Sequence, residues 1–83
     1  MITAQDLDSL SDREILIFNM LLKRKSYGEM SFELGIPTAS LSYSISKIYF
    51  KLGVRGRSRT DLIRVWHDSI TAQNENFKGY DFR

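Results

Sequence analysis

Residues 38–59 bring together hydroxyl, aromatic and cationic side chains that can contact nucleic acid. Ser42, Tyr43 and Ser46 lie close enough to share one side of a helix. Hydroxyl groups can donate to or accept from base edges, and a tyrosine ring can contact a thymine methyl group. Lys47 and Lys51 follow one turn apart, and such cations contact phosphates, which supply affinity but little sequence information. The segment therefore predicts a nucleic-acid-binding surface.

The positive charge of the chain is concentrated in the same region. The formal net charge is only +2, which alone favours no partner. Residues 1–14 carry four carboxylates against one arginine, whereas residues 36–66 carry six lysines and arginines against one aspartate. Such clustering is typical of a phosphate-contacting surface. A solvated surface loop with incidental arginines is the alternative.

Composition excludes several other functions. The chain has 83 residues with no cysteine and one histidine, so thiolate and multi-histidine metal sites are excluded. No carboxylate pair, activated serine or glycine-rich phosphate loop marks an active site. We therefore expect no enzyme, no cofactor and no small-molecule ligand. The longest apolar run, Ile15 to Phe18, is too short to span a bilayer, and we expect a cytoplasmic protein.

The element that positions the nucleic-acid-binding residues is predicted to be a helix. Its apolar residues recur at spacings of four, three and four, which forms one stripe: Leu41, Ile45, Ile48 and Leu52. Residues 40–46 also alternate as a strand would, but no other segment alternates to pair with them. Pro37 or Thr38 begins this helix, and Gly53 ends it.

Two more helices are predicted before it. Ser11 and Glu14 have the spacing of a capping box, which begins a helix over the apolar run from Ile15 to Leu22. Ser26 caps the second helix, and Gly35 ends it in a tight turn.

A fourth helix is predicted after the arginine-rich loop. Ser58 or Thr60 caps it, and it continues to about Ile70. Ile63, Trp66 and Ile70 form a row at helical spacing. That row either completes the core or contacts a second protomer.

A set of positions over residues 10–54 matches a known family. The shared residues are Leu10, Ser11, Arg13, Glu14, Leu21, Ser26, Glu29, Met30, Leu34, Gly35, Ile36, Ser40, Leu41, Ile48, Lys51, Leu52, Gly53 and Val54. In these positions the chain resembles the helix-turn-helix domain of the LuxR/NarL/GerE family of bacterial transcription regulators. The resemblance resumes over the last predicted helix, from about residue 57 to residue 72. The resemblance implies an all-α, small four-helix bundle, whose third helix enters the major groove and whose fourth pairs two protomers.

The resemblance also implies which residues bind. Base contacts fall on the positions of Ser42, Tyr43 and Ser46. The expected DNA-binding residues are Thr38, Ser40, Ser42, Tyr43, Ser46, Lys47, Lys51, Arg55, Arg57 and Arg59. The expected dimer-interface residues are Ile63, Trp66, His67 and Ile70.

Three departures from the family alter the expected chemistry. Pro37 stands where the family usually has a capping serine, and Ser42 and Ser44 stand where it usually has lysine and histidine. The loop after Val54 is two residues longer and rich in arginine. Serine reads bases less selectively than lysine. Apart from these three, Phe50 lies where the family often has a basic residue, and it marks a protein contact or packs under the loop.

Two functions remain open at this stage. The first is a stand-alone DNA-binding transcriptional regulator, homodimeric through its fourth helix, with no room for a receiver or ligand domain. The alternative is a protein-interaction module, an antagonist or co-regulator that forms a heterodimer with a related regulator and binds DNA weakly or not at all. In either case we divide the chain into an N-terminal lead-in (1–9), the helix-turn-helix domain (10–72) and a polar tail (73–83).

Overall fold

The computed structural model describes residues 2–55 and 58–73 as helices joined by short turns. This part of the chain contains no strand and five helices: α1 (Ala4–Asp8), α2 (Asp12–Leu22), α3 (Tyr27–Leu34), α4 (Thr38–Leu52) and α5 (Arg59–Gln73). The all-α prediction is confirmed, and residues 40–46 lie inside α4. None of the helices in these two ranges is long and apolar enough to cross a bilayer. Arg57 and residues 74–83 lie outside the described residues.

The helix α1 is one more than the sequence analysis predicted. Thr3 caps it, since its side chain accepts a hydrogen bond from the Asp6 N–H and its own N–H donates to the Asp6 carboxylate. Leu7 is 1% exposed, and the Ile2 N–H donates to Ser69 Oγ over 2.7 Å. Ile2 is therefore docked on α5, while α1 itself contacts α4.

The predicted capping box at Ser11 is present, and the predicted cap at Ser26 also forms a capping box. Ser11 Oγ accepts from the Glu14 N–H at 3.2 Å, while Glu14 Oε1 accepts from the Ser11 N–H at 2.8 Å. Ser26 and Glu29 repeat this exchange at 3.1 Å in each direction. Each box satisfies two backbone N–H groups that a helix start leaves unpaired, so α2 and α3 begin at fixed residues.

Glycines set the two turns that bracket α4. Gly35 and Gly53 have φ of 65° and 69°, in the left-handed region that other residues adopt only with strain. After Gly53 the Val54 N–H donates to the Tyr49 carbonyl over 2.9 Å, as in a glycine C-cap motif. At the other end Pro37 is the N-cap and supplies no side-chain hydrogen bond.

The core anchors α4 along its whole length. All four residues of the predicted apolar stripe are at most 3% exposed: Leu41, Ile45, Ile48 and Leu52. Each such side chain contributes roughly 1.5–3 kcal/mol when fully buried. Phe18 of α2 contacts Trp66 of α5 edge to face, with ring centroids 5.4 Å apart at 87°. The buried stripe of α4 fixes which side of that helix faces outward.

Candidate nucleic-acid interface

The side of α4 opposite the core is polar and aromatic. Its exposed residues include Ser42, Tyr43, Ser46, Lys47 and Phe50. Tyr43, Ser46 and Phe50 follow one another at spacings of three and four, so they lie on one stripe of the helix. Tyr43 is 65% exposed and Phe50 is 84% exposed. The helix contains two lysines and no carboxylate, so this surface suits an anionic partner.

A cation–π contact orders part of this surface. Lys47 Nζ lies 5.6 Å from the centroid of the Tyr43 ring. At an exposed site such a contact is worth about 0.5–1 kcal/mol. It keeps the positive charge of Lys47 beside the Tyr43 ring.

Lys51, a predicted phosphate contact, forms an ion pair with Glu14 of the same chain. Its Nζ lies 2.8 Å from Glu14 Oε1, and 3.4 Å from the Ser9 carbonyl oxygen. Glu14 is only 7% exposed. Burial by itself would raise the pKa of Glu14, but hydrogen bonds from Lys51 and the Ser11 N–H, with the Lys51 charge, hold the pKa below its ordinary 4.5. The Lys51 ammonium therefore balances a buried carboxylate.

The start of α2 lies beside the outward surface of α4, which the sequence analysis did not foresee. A shallow groove of about 290 Å³ is lined by Ser11, Arg13, Glu14, Tyr43, Ser44, Lys47 and Lys51. Arg13 is exposed there and adds a cation next to Tyr43 and Lys47. In the sequence Arg13 belongs to the acidic N-terminal segment. The capping box at Ser11 fixes its position in the first turn, but only the packing of α2 on α4 brings it to the groove.

A second cation–π contact joins the starts of α3 and α5. Arg59, a predicted phosphate contact, has its guanidinium carbon 5.5 Å from the centroid of the Tyr27 ring. Tyr49 lies close by, and burial, followed by the neighbouring Tyr27 phenol, raises the pKa of Tyr49 to about 12. Tyr49 is therefore a neutral, structural phenol at physiological pH. The contact holds Arg59 against the helix-turn-helix rather than free in solvent.

The structure places the predicted DNA-binding residues in distinct settings. Those exposed on α4 are Thr38, Ser40, Ser42, Tyr43, Ser46 and Lys47, and Arg55 is exposed just after it. Lys51 is half-buried in its ion pair, and Arg59 is half-buried on Tyr27. The six exposed residues of α4 form one continuous surface along that helix.

The predicted dimer-interface residues are not all exposed on the surface of the protomer. Ile63 and Trp66 are 8% and 3% exposed, and Trp66 packs on Phe18 in the same protomer. Ile70 is half-buried, and His67 is exposed. Trp66 thus completes the core, which leaves His67 and part of Ile70 accessible on α5.

The helices α3 and α4, joined by the turn at Gly35, form a helix-turn-helix whose second helix exposes a polar surface without carboxylates. This is the architecture of a class of DNA-binding proteins. The family model GerE, described as bacterial regulatory proteins of the luxR family, matches residues 8–66. The chain belongs to this family, and membership implies a DNA-binding transcription regulator. Comparisons with curated proteins and with solved structures gave no match.

Proposed function

We propose that this chain regulates transcription by inserting α4 into the major groove of double-stranded DNA. The observation that supports this most is the contrast between the two sides of α4. One side is buried along its whole length, while the other exposes serines, Tyr43 and Lys47. The major groove, about 12 Å wide, admits one α-helix. A helix held by its apolar stripe can therefore present its polar side to base edges.

The proposed contacts divide by chemistry. Ser42, Tyr43 and Ser46 would face base edges, where hydroxyl groups donate or accept. Phosphate contacts would come from hydroxyl and cationic residues of the described ranges: Arg13, Thr38, Ser40, Lys47, Arg55 and Arg59. Arg57, outside those ranges, stays a candidate from the sequence alone. We assign Lys51 chiefly to holding α4 on α2, because its ammonium already neutralises Glu14.

We further propose that two protomers pair through α5 on a two-fold DNA site. His67 and Ile70 are the predicted interface residues that retain exposed surface. Ile63 and Trp66 would support the interface from within the protomer. Two recognition helices related in this way would read half-sites about 34–36 Å apart, or a multiple of that distance.

A salt-dependent titration tests DNA binding. A fluorescein-labelled random-sequence duplex would be titrated with the protein, followed by anisotropy, at about 50 mM and 200 mM salt. We expect binding that weakens steeply with salt, because contacts between cations and phosphates release counterions. Lys47→Ala should weaken binding to all sequences about equally and lower the salt slope by about one unit.

Lys23→Ala is the matched control. Lys23 is exposed at the other end of α2, about 15 Å along the helix from Arg13. It should leave both the affinity and the slope unchanged. If the unmodified protein binds no duplex even at the lower salt, the regulator proposal fails and a protein-interaction module takes its place.

A further inference from the structure

Phe50 continues the stripe that the proposed function assigns to base reading. It follows Ser46 by four residues and Tyr43 by seven, which puts all three on one side of α4. At 84% exposed it is, with Phe32 of α3, one of two phenylalanines left almost entirely in solvent among the described residues. It does not pack beneath the arginine-rich loop. A large apolar ring in this position is free to contact whatever surface α4 binds.

The surroundings of Phe50 are electropositive on both sides. The ring separates two shallow grooves, of about 390 Å³ and 470 Å³. Ser46, Lys47 and Lys51 line the first groove with Phe50, whereas Tyr49, Gly53, Val54 and Arg55 line the second. Among the described residues, no carboxylate lines either groove. The ring is thus flanked by the cations Lys47 and Arg55, and an anionic partner is the one that this charge favours.

Continuity with the base-reading stripe favours DNA over an acidic protein. Along the axis of α4, Phe50 lies about 10 Å beyond Tyr43, a distance of about three base pairs at about 3.4 Å each. A helix lying along the groove can therefore bring both rings to base edges. The phenyl ring has no donor or acceptor, and the one apolar group that base pairs present in the major groove is the thymine C5-methyl.

We propose that Phe50 is a specificity-determining residue that reads thymine methyl groups. The inference rests on the proposed DNA binding and adds one prediction to it. The protein should prefer thymine over cytosine or uracil at the bases that Phe50 reaches. Tyr43 and the serines would supply hydrogen bonds at neighbouring bases.

The test removes the methyl group while keeping the base pair. Duplexes would be selected from a random library with the unmodified protein, and the recovered site resynthesised with deoxyuridine in place of each thymine in turn. Deoxyuridine keeps the hydrogen-bonding edge of thymine and lacks only the methyl. We expect a loss of about fourfold at each contacted position, the equivalent of one buried CH₂ group. Phe50→Ala should abolish that difference, and Phe50→Leu should retain part of it.

Phe32→Ala is the matched control, because Phe32 is 88% exposed but lies on α3. It should keep the full preference for thymine over deoxyuridine. Thermal unfolding of both alanine variants should match that of the unmodified protein, since neither ring is buried. The proposal is overturned if Phe50→Ala keeps the preference, or if it binds every duplex as the unmodified protein does. The latter result would indicate a protein partner. Failure of the unmodified protein to bind any duplex would instead overturn the proposed function itself.

Discussion

Lys51 at the end of α4 forms an ion pair with Glu14 at the start of α2, with 2.8 Å between Nζ and Oε1. The same carboxylate oxygen accepts a hydrogen bond from the Ser11 N–H. One nearly buried group therefore caps α2 and holds the end of the proposed recognition helix. The pair joins residues 37 positions apart in sequence.

Lys51→Ala should destabilise the fold. It leaves the carboxylate of Glu14 nearly buried without a counter-charge, which costs 3–5 kcal/mol for fully buried pairs. Because the Lys51 side chain is 33% exposed, we expect a smaller loss in the free energy of unfolding, about 1–3 kcal/mol. Urea denaturation measures it, and Lys47→Ala, at an exposed position, should change it by less than about 0.5 kcal/mol. If Lys51→Ala instead lowered the salt dependence of DNA affinity and left stability unchanged, Lys51 would be assigned to the phosphate contacts.

Stability should fall in acid because of the two capping glutamates. The pKa of Glu29 is lowered by hydrogen bonds from the backbone and side chain of Ser26, and the pKa of Glu14 is also lowered. In acid the unfolded chain then binds more protons than the folded chain does. The stability that these two glutamates contribute is therefore present above their ordinary pKa of 4.5 and is lost as pH falls through their pKa values in the folded state. Denaturant midpoints from about pH 7 to pH 3 measure the loss. A double variant with glutamine at both positions retains capping groups and should show a shallower decline. An identical decline would assign the acid sensitivity to other carboxyls.

The glycines should respond to alanine in opposite directions. Gly53 has φ of +69°, so Gly53→Ala forces a left-handed conformation and should cost about 1–2 kcal/mol of unfolding free energy. Gly28 lies in the first turn of α3, where an added Cβ would meet only Ser26 Oγ at 3.9 Å. Gly28→Ala should therefore stabilise the protein by a few tenths up to about 1 kcal/mol. Thermal unfolding of both variants decides this, and a gain in stability for Gly53→Ala would contradict the C-cap assignment.

Tyr43→Ala should change which sequences are preferred more than it changes non-specific affinity. The side chain is 65% exposed, so its removal leaves the core intact. Site selection from a random library, with affinities for selected and random duplexes, gives the two quantities. Tyr43→Phe separates the hydroxyl from the ring, since it keeps the apolar contact and the cation–π contact with Lys47. A uniform loss across all sequences would remove Tyr43 from the base-reading residues.

Substitutions in α5 should separate folding from dimerisation. Trp66→Ala removes a core ring packed on Phe18 and should cost about 3–5 kcal/mol of unfolding free energy. His67→Glu, at an exposed position, should leave unfolding of the protomer unchanged while placing like charges across the proposed two-fold interface. Sedimentation equilibrium of the protein bound to DNA measures the stoichiometry. An unchanged dimer in His67→Glu would place the interface elsewhere.

Local signals predicted most of the helix boundaries. The serine caps at Ser11 and Ser26 and the stops at Gly35 and Gly53 depend on residues a few positions apart, and the structure confirms them. The sequence Thr3 to Asp6 has the same capping spacing and could have predicted α1. A helix of five residues is too short for the spacing of its apolar residues to indicate a helix.

Contacts between distant helices were beyond sequence reasoning. The periodicity of α5 could not decide whether Trp66 faced the core or a second protomer, because Leu62 and Val65 also supplied apolar surface. Charge counting could not detect that Lys51 is paired with Glu14 or that Arg13 lies beside Tyr43. Each of these depends on how one helix packs on another rather than on spacing along the chain.

The hydrogen bond from the Ile2 N–H to Ser69 Oγ closes the bundle across 67 positions. The main contacts between helices join α4 to α2 and to α3, and they close shorter loops than this one, which favours their forming earlier in folding. The docking of Ile2 on α5 closes a loop of 67 positions, so it is expected to form later than these contacts and to open before them. Hydrogen exchange at the Ile2 amide would then report partial unfolding that leaves α3 and α4 in place, so loss of the N-terminal contact need not disturb the proposed DNA-binding surface.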